Sequence, residues 1–262
     1  MKNKTVLITG ASSGIGRALV YEFAKAGYNI VAIARNKEAL TDLATQCQLQ
    51  YGAKIFFLVK DLADKDALST ILGYLHDRHL QITSLVNNAG FGVWGRFDKS
   101  NLEDELRLIT LHITFYLKLT KALLPQMIEK NEGEILNVGS VYSFTPVPYQ
   151  SVYGASKSFL LSHTLALRQE LKGTGINVSI TCPGLTMTAF RKSIVTNEKP
   201  SFVSMTAEKV AKISFRQFQA KKAIIIPGTI NQLYVFLKKI LPESISQIFI
   251  VWMNRRRNLH KL

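Results

Sequence analysis

The feature that most constrains this chain is a regular alternation of short apolar stretches with segments whose apolar residues recur at helical spacing. Thr5–Thr9, Asn29–Ala34, Lys54–Val59, Ile82–Val86, Gly133–Val138, Asn177–Thr181 and Ala223–Ile226 read as strands. Between them, Gly14–Ala26, Lys37–Gln50, Asp64–Arg78, a long stretch Leu102–Lys130, Ser151–Lys172 and Ala207–Ala220 read as helices. Strands that are apolar almost throughout are covered on both faces, and helical crossovers between them make a parallel sheet. The expected fold class is α/β, a doubly wound parallel sheet of about seven strands with helices on both faces. At 262 residues and 47% hydrophobic content, one such core can be buried. A single domain over 1–262 is expected, with an apolar-basic C-terminal extension from about 229. Ligands of such sheets bind at the carboxyl ends of the strands.

Charge and cysteine usage narrow the setting. The net charge is +15, and Lys221–Leu262 carries eight Lys or Arg residues against one acid, Glu243. Apolar residues, among them Leu233, Phe236, Leu237 and Trp252, lie between these charges. An apolar stripe with a basic flank suits a helix lying on an anionic membrane surface. The alternative is a segment packed on the domain or on a partner subunit. No nucleic acid is expected, because the basic residues flank apolar blocks and form no stripe with stacking aromatics. No run reaches the roughly 18 apolar residues that span a bilayer, and the apolar stretch after Met1 is too short for a signal peptide. Cys47 and Cys182 read as buried, reduced thiols. The expected location is cytoplasmic, with peripheral contact at the inner membrane face.

Thr9-Gly10-Ala11-Ser12-Ser13-Gly14-Ile15-Gly16 lies between the first strand and the first helix. Gly10 permits a tight turn, and Gly14 and Gly16 let bare backbone approach a pyrophosphate at a helix N-terminus. Ser12, Ser13 and Ile15 belong to the same candidate dinucleotide-binding turn, which makes the sheet Rossmann-type. The second strand ends in Ala34-Arg35-Asn36, with no acid before Glu38. A carboxylate there would serve a ribose hydroxyl, whereas Arg35 can hold a 2′-phosphate; NADP(H) is favoured over NAD(H). Arg35 can equally be an exposed loop residue. Asp61-Leu62 follows the third strand, where Asp61 accepts from an adenine or caps a helix. Asn88, Ala89 and Gly90 close the fourth strand with small residues past which a flat cofactor can run. The histidines form no metal-ligand constellation, and no metal is expected.

Tyr153 and Lys157 lie one helical turn apart in Tyr153-Gly154-Ala155-Ser156-Lys157. An ammonium beside a phenol favours the phenolate, so Lys157 is expected to lower the Tyr153 pKa towards a useful range. With Thr9-Gly10 to Gly16, Asp61-Leu62, Asn87-Asn88-Ala89-Gly90, Ser140 and Pro183-Gly184, this pair resembles the short-chain dehydrogenase/reductase family over essentially the whole chain. The later segments Met205–Ala211 and Ile226–Gly228 resemble a bacterial branch of uncertain substrate. The resemblance implies that Ser140 holds the substrate oxygen, Tyr153 exchanges the proton, and Lys157 tunes Tyr153 and bonds the nicotinamide ribose. It implies that Pro183, Gly184 and Thr188 fix the nicotinamide, and that the protein is a homo-oligomer.

His112 departs from the family pattern, which carries an asparagine holding a relay water. A neutral imidazole can replace it in the relay, or it is a drifted helix residue. Phe91, Val93, Trp94, Phe97 and the segment Val141–Tyr149 supply apolar and aromatic walls, with Ala189–Met205 as a lid. The expected function is NADPH-preferring, reversible reduction of a ketone or aldehyde on an apolar small molecule. The alternatives are an NAD-dependent alcohol dehydrogenase and a non-catalytic dinucleotide-binding regulator.

Overall fold

A computed structural model describes residues 4–188, 204–240 and 251. Its elements run β1 (Thr5–Thr9), α1 (Gly14–Lys25), β2 (Asn29–Ala34), α2 (Lys37–Tyr51), β3 (Ile55–Val59), α3 (Ala67–Asp77) and β4 (Ser84–Asn87). Then follow α4 (Leu102–Ile109), a π-helical turn (Thr110–Phe115), α5 (Tyr116–Glu129), β5 (Gly133–Val138), a 3-10 turn (Val141–Phe144), α6 (Ser151–Glu170) and β6 (Ile176–Thr181). The chain continues with β7 (Thr186–Met187), β8 (Met205–Thr206), α7 (Ala207–Gln219), β9 (Ile224–Ile225) and α8 (Thr229–Ile240).

Seven strands form one parallel sheet in the order β3-β2-β1-β4-β5-β6-β9, while β7 and β8 pair separately. Val6 sits between Ile30 and Ser84 in register, so β1 is flanked by β2 on one side and β4 on the other. The chain order reverses between β1 and β4, which opens a crevice above their carboxyl ends. All five residues of β1 are buried, because a layer covers each face of the sheet. On one face Leu19, Phe23, Leu40 and Phe218 pack against the strands, with the Phe23 ring edge-on to Tyr28 and Phe215 at 5.0 and 4.8 Å between centroids. On the other, Ile71, Phe115, Leu119, Leu123 and Leu167 do the same. Burying each of these large side chains contributes about 1.5–3 kcal/mol.

The doubly wound parallel sheet is as expected, and one element departs from the reading. Leu102–Lys130 is no continuous α-helix: a π-helical turn over Thr110–Phe115 widens it and turns His112 and Phe115 into the interior. Insertions of this kind occur inside helices next to functional sites. Periodicity alone cannot reveal one, since the apolar spacing on either side is helical. Asp61 is not a helix cap, because α3 begins at Ala67; its carboxylate instead accepts from the Ala63 N–H at 3.0 Å. Both cysteines are free and buried. Among the described residues no helix is long and apolar enough to cross a membrane. The expected lid falls largely on 189–203, outside the described residues, as does most of the C-terminal segment beyond 240.

Candidate active site

The carboxyl ends of the strands border a cleft of about 840 Å³. At one end lies the glycine-rich turn. Gly10 and Gly14 have φ of +65° and +54°, conformations a side chain resists. A Cβ on Gly16 would stand 2.2 Å from the Gly10 carbonyl oxygen. Thr188 closes over this turn, its Cγ2 3.0 Å from where a Gly14 Cβ would be. The result is a cradle of bare backbone at the N-terminus of α1, where N–H groups lack helical partners. Asn88 lines the cleft, but its side-chain amide donates to the Thr9 and Gly10 carbonyls at 2.9 and 3.2 Å. The Thr9 hydroxyl in turn accepts from the Asn88 and Ala89 N–H groups. Asn88 therefore braces the turn from below.

Beyond β2 and β3 the cleft is cationic. Arg35 is 72% exposed at its side chain and stands 3.6 Å from Asp61. Arg107, from α4, bonds the same Asp61 oxygen, and Lys60 lines the cleft while paired with Asp64 and Asp66. Burial raises the Asp61 carboxyl, but the Ala63 N–H and the Arg107 and Arg35 charges outweigh it and hold Asp61 below the usual carboxylate range. Lys60 and Arg107 escape sequence reasoning. Arg107 meets Asp61 from 46 positions away, and no local pattern signals such a pairing.

At the other end the cleft holds Ser140, Tyr153 and Lys157 together with Ala89, Gly90, Pro183 and Gly184. Ser140 follows β5 and opens the 3-10 turn, its hydroxyl accepting from the Tyr142 N–H at 3.1 Å. It lines the same cleft as Tyr153. Tyr153 and Lys157 share one face of α6, and Lys157 Nζ lies 5.7 Å from the Tyr153 ring centroid. That Nζ donates to the Val138 carbonyl at 2.9 Å, which fastens α6 to the end of β5. Burial pushes the Tyr153 phenol well above its ordinary range, and the Ser140 hydroxyl is the influence that lowers it. The expected pull of Lys157 on Tyr153 is thereby corrected: desolvation dominates, with Lys157 buried and Tyr153 half-buried. The same burial lowers Lys157 itself from 10.5 to about 8.

His112 is buried beneath this end, 5.8 Å from the Tyr153 ring. Beside it, between Thr9, Asn87, Tyr116 and Lys157, lies a cavity of about 20 Å³, room for a single water. The wall is partly as expected. Phe91, Trp94, Val141 and Tyr142 line the cleft, and the Trp94 indole stacks on Tyr153 at 6.2 Å and 23°. Val147 is in the core and Phe97 is 68% exposed, so neither belongs to it. Ile230, Asn231, Leu233 and Leu237 of α8 complete the mouth. Asn231 donates to the Pro227 carbonyl at 2.6 Å and fills the space where a Gly184 side chain would stand. The apolar spacing of α8 is visible in the sequence; its place over the cleft is not.

Bare backbone at a helix N-terminus, a cationic far end, and Ser140, Tyr153 and Lys157 at the near end thus share one cleft, and comparison with known proteins gives its family. Residues 4–199 match the short chain dehydrogenase family. Sulfoacetaldehyde reductase 2 of Chromohalobacter salexigens is 37% identical over 71% of this chain and 73% of its own. Human 17-beta-hydroxysteroid dehydrogenase 13 is 33% identical over 97% of this chain and 83% of its own. A short-chain dehydrogenase from Sphingobium yanoikuyae, solved in complex with NADPH, superposes with a TM-score of 0.80 at 34% identity, covering 86% of this chain and 88% of that one. The chain belongs to the short-chain dehydrogenase family and is an oxidoreductase acting on hydroxyl and carbonyl groups.

Proposed function

We propose that this protein is an NADPH-preferring carbonyl reductase acting on apolar ketones or aldehydes through Ser140, Tyr153 and Lys157. One observation carries the reading: the phosphate cradle and the Ser140–Tyr153 pair open into the same cleft. The cradle fits a dinucleotide, since Gly16 has no room for a Cβ and the Ser13 side chain does not cap the N-terminus of α1. Gly10, Ser12, Ser13, Gly14 and Ile15 would hold the pyrophosphate, and Ala89, Gly90, Pro183, Gly184 and Thr188 would flank the nicotinamide. Bound there, the nicotinamide supplies the hydride. Arg35 and Arg107 would meet a 2′-phosphate, and no carboxylate ends β2 to repel one.

Ser140 holds the substrate carbonyl oxygen by a hydrogen bond, and Tyr153 donates its proton to that oxygen as charge develops on it. Burial keeps Tyr153 protonated, the form that reduction requires. Lys157, charged below its pKa of about 8, stabilises the phenolate that remains. The reverse reaction must begin from that phenolate, so neutral pH favours reduction. Phe91, Trp94, Val141, Leu233 and Leu237 give the substrate an apolar bed. The test is NADPH consumption across a panel of ketones and aldehydes graded in size and polarity. Turnover of small polar carbonyls alone would remove the apolar substrate from the reading.

The outer side of α8 supports a membrane-facing arrangement. Phe236 and Ile240 are 59% and 64% exposed, beside the cleft mouth and ahead of a basic C-terminal sequence. Cosedimentation with anionic vesicles, lost in Phe236→Glu, is expected. Loss of a dimer in size-exclusion chromatography, with no vesicle binding in the parent, would assign the stripe to a homo-oligomer instead.

A further inference from the structure

His112 is the conspicuous departure from its family, and its surroundings decide what it does. Nε2 faces the backbone N–H of Phe91 at 3.2 Å. An N–H can only donate, so Nε2 accepts and carries no proton. The neutral ring then has its proton on Nδ1, 2.9 Å from the Ser156 hydroxyl. Ser156 passes the chain on by donating to the Tyr153 carbonyl at 2.7 Å. Every polar atom of the imidazole is engaged. Protonating Nε2 would set two donors against each other in a fully buried place. Burial, and after it the Lys157 charge, hold the His112 pKa well below its ordinary value. Tyr153 meets the ring edge-on, and Tyr116 lines the small cavity beside it.

The same contacts show what the ring joins. Nε2 lies 2.5 Å from where a Gly90 side chain would begin, so the imidazole packs directly under the floor at Gly90 and Phe91. Its opposite edge holds α6 at Ser156, one turn after Tyr153. The π-helical turn swings it into this position. We propose that His112 is a positioning residue, a neutral Nδ1–H brace that ties the cleft floor at Gly90–Phe91 to the Tyr153 helix through Ser156 and carries no proton of the reaction. A ring with both nitrogens occupied has none to offer a relay water. The consequence for activity rests on the reductase reading above; the brace itself does not.

Two kinds of measurement test it. In protein labelled with 15N-histidine, His112 should show a protonated Nδ1 and a bare Nε2, with no titration between about pH 5 and 8. A titrating ring, or a proton on Nε2, would overturn the proposal. In kinetics, His112→Ala should lower kcat/KM roughly tenfold and weaken NADPH binding, with the shape of the pH profile unchanged. His112→Gln, whose amide oxygen reaches towards the Phe91 N–H, should recover most of that loss. A limb of the pH profile that vanishes with the imidazole would make His112 a relay member. A fall in Tm with kcat/KM and NADPH affinity both unchanged would make it merely structural. Should the parent protein reduce no carbonyl at all, the imidazole spectrum and the NADPH affinities still decide the brace, and only the reductase reading fails.

Discussion

The two ends of the cleft are built in different ways. At the glycine-rich end the cleft surface is backbone, shaped by residues adjacent in sequence and braced by Asn88. At the Tyr153 end it is side chains, gathered from β5, α6 and the loop before α4, with acidities set by burial. A backbone site fails when something is added to it. A side-chain site fails when something is removed.

That contrast can be broken by experiment. The largest effect is expected from Tyr153→Phe, which deletes one oxygen and should lower reduction about 10²- to 10⁴-fold while NADPH affinity stays within a few-fold. Loss of both together would mean that the two ends are not separable. Next comes an addition at the other end, Gly16→Ala, whose new Cβ would meet the Gly10 carbonyl at 2.2 Å and the Asn88 amide at 2.4 Å. Displacing that turn should cost about 1–3 kcal/mol, read as a tenfold to hundredfold weaker NADPH Kd by fluorescence titration. Unchanged affinity would show that the cradle is not the phosphate site.

A smaller effect is expected from Arg35→Ser. An exposed charged contact is worth about one order of magnitude at most, so the preference for NADPH over NADH should shrink roughly tenfold or less. Equal loss for both cofactors would take the 2′-phosphate away from Arg35. The smallest and most specific effect concerns pH. Burial sets the Lys157 pKa at about 8, so the ammonium is present below that value and lost above it. Reduction should therefore fall as pH rises through about 8, and Lys157→Arg, charged throughout, should flatten that limb whatever its absolute rate. A limb that stays in place in the arginine variant would belong to another group.

The same division governs what could be read before any coordinates. The alternation of strands and helices, the turn at Gly10–Gly16 and the Tyr153–Lys157 spacing are legible, because each is encoded within a few consecutive residues. Illegible were the break in the helix at Thr110–Phe115, the approach of Arg107 to Asp61 and the seat of Asn231 against Gly184. The last two join segments far apart in the chain, and the first is hidden by the helical apolar spacing on either side of it. The Tyr153 acidity was misjudged for a related reason. Spacing on a helix names the nearest charge, whereas desolvation depends on everything packed around the group.

By itself the sequence determined the layered parallel sheet, and it named the glycine-rich turn and the Ser140, Tyr153 and Lys157 group as candidates. Apolar periodicity and glycine are properties of neighbouring residues, so they survive in one dimension. Only the tertiary structure decided that Tyr153 is governed by burial, that cations from two distant elements meet beyond β2, and that His112 has both nitrogens occupied. Exclusion of water and the closing of hydrogen bonds are collective effects of packing, and they arise when the chain has folded.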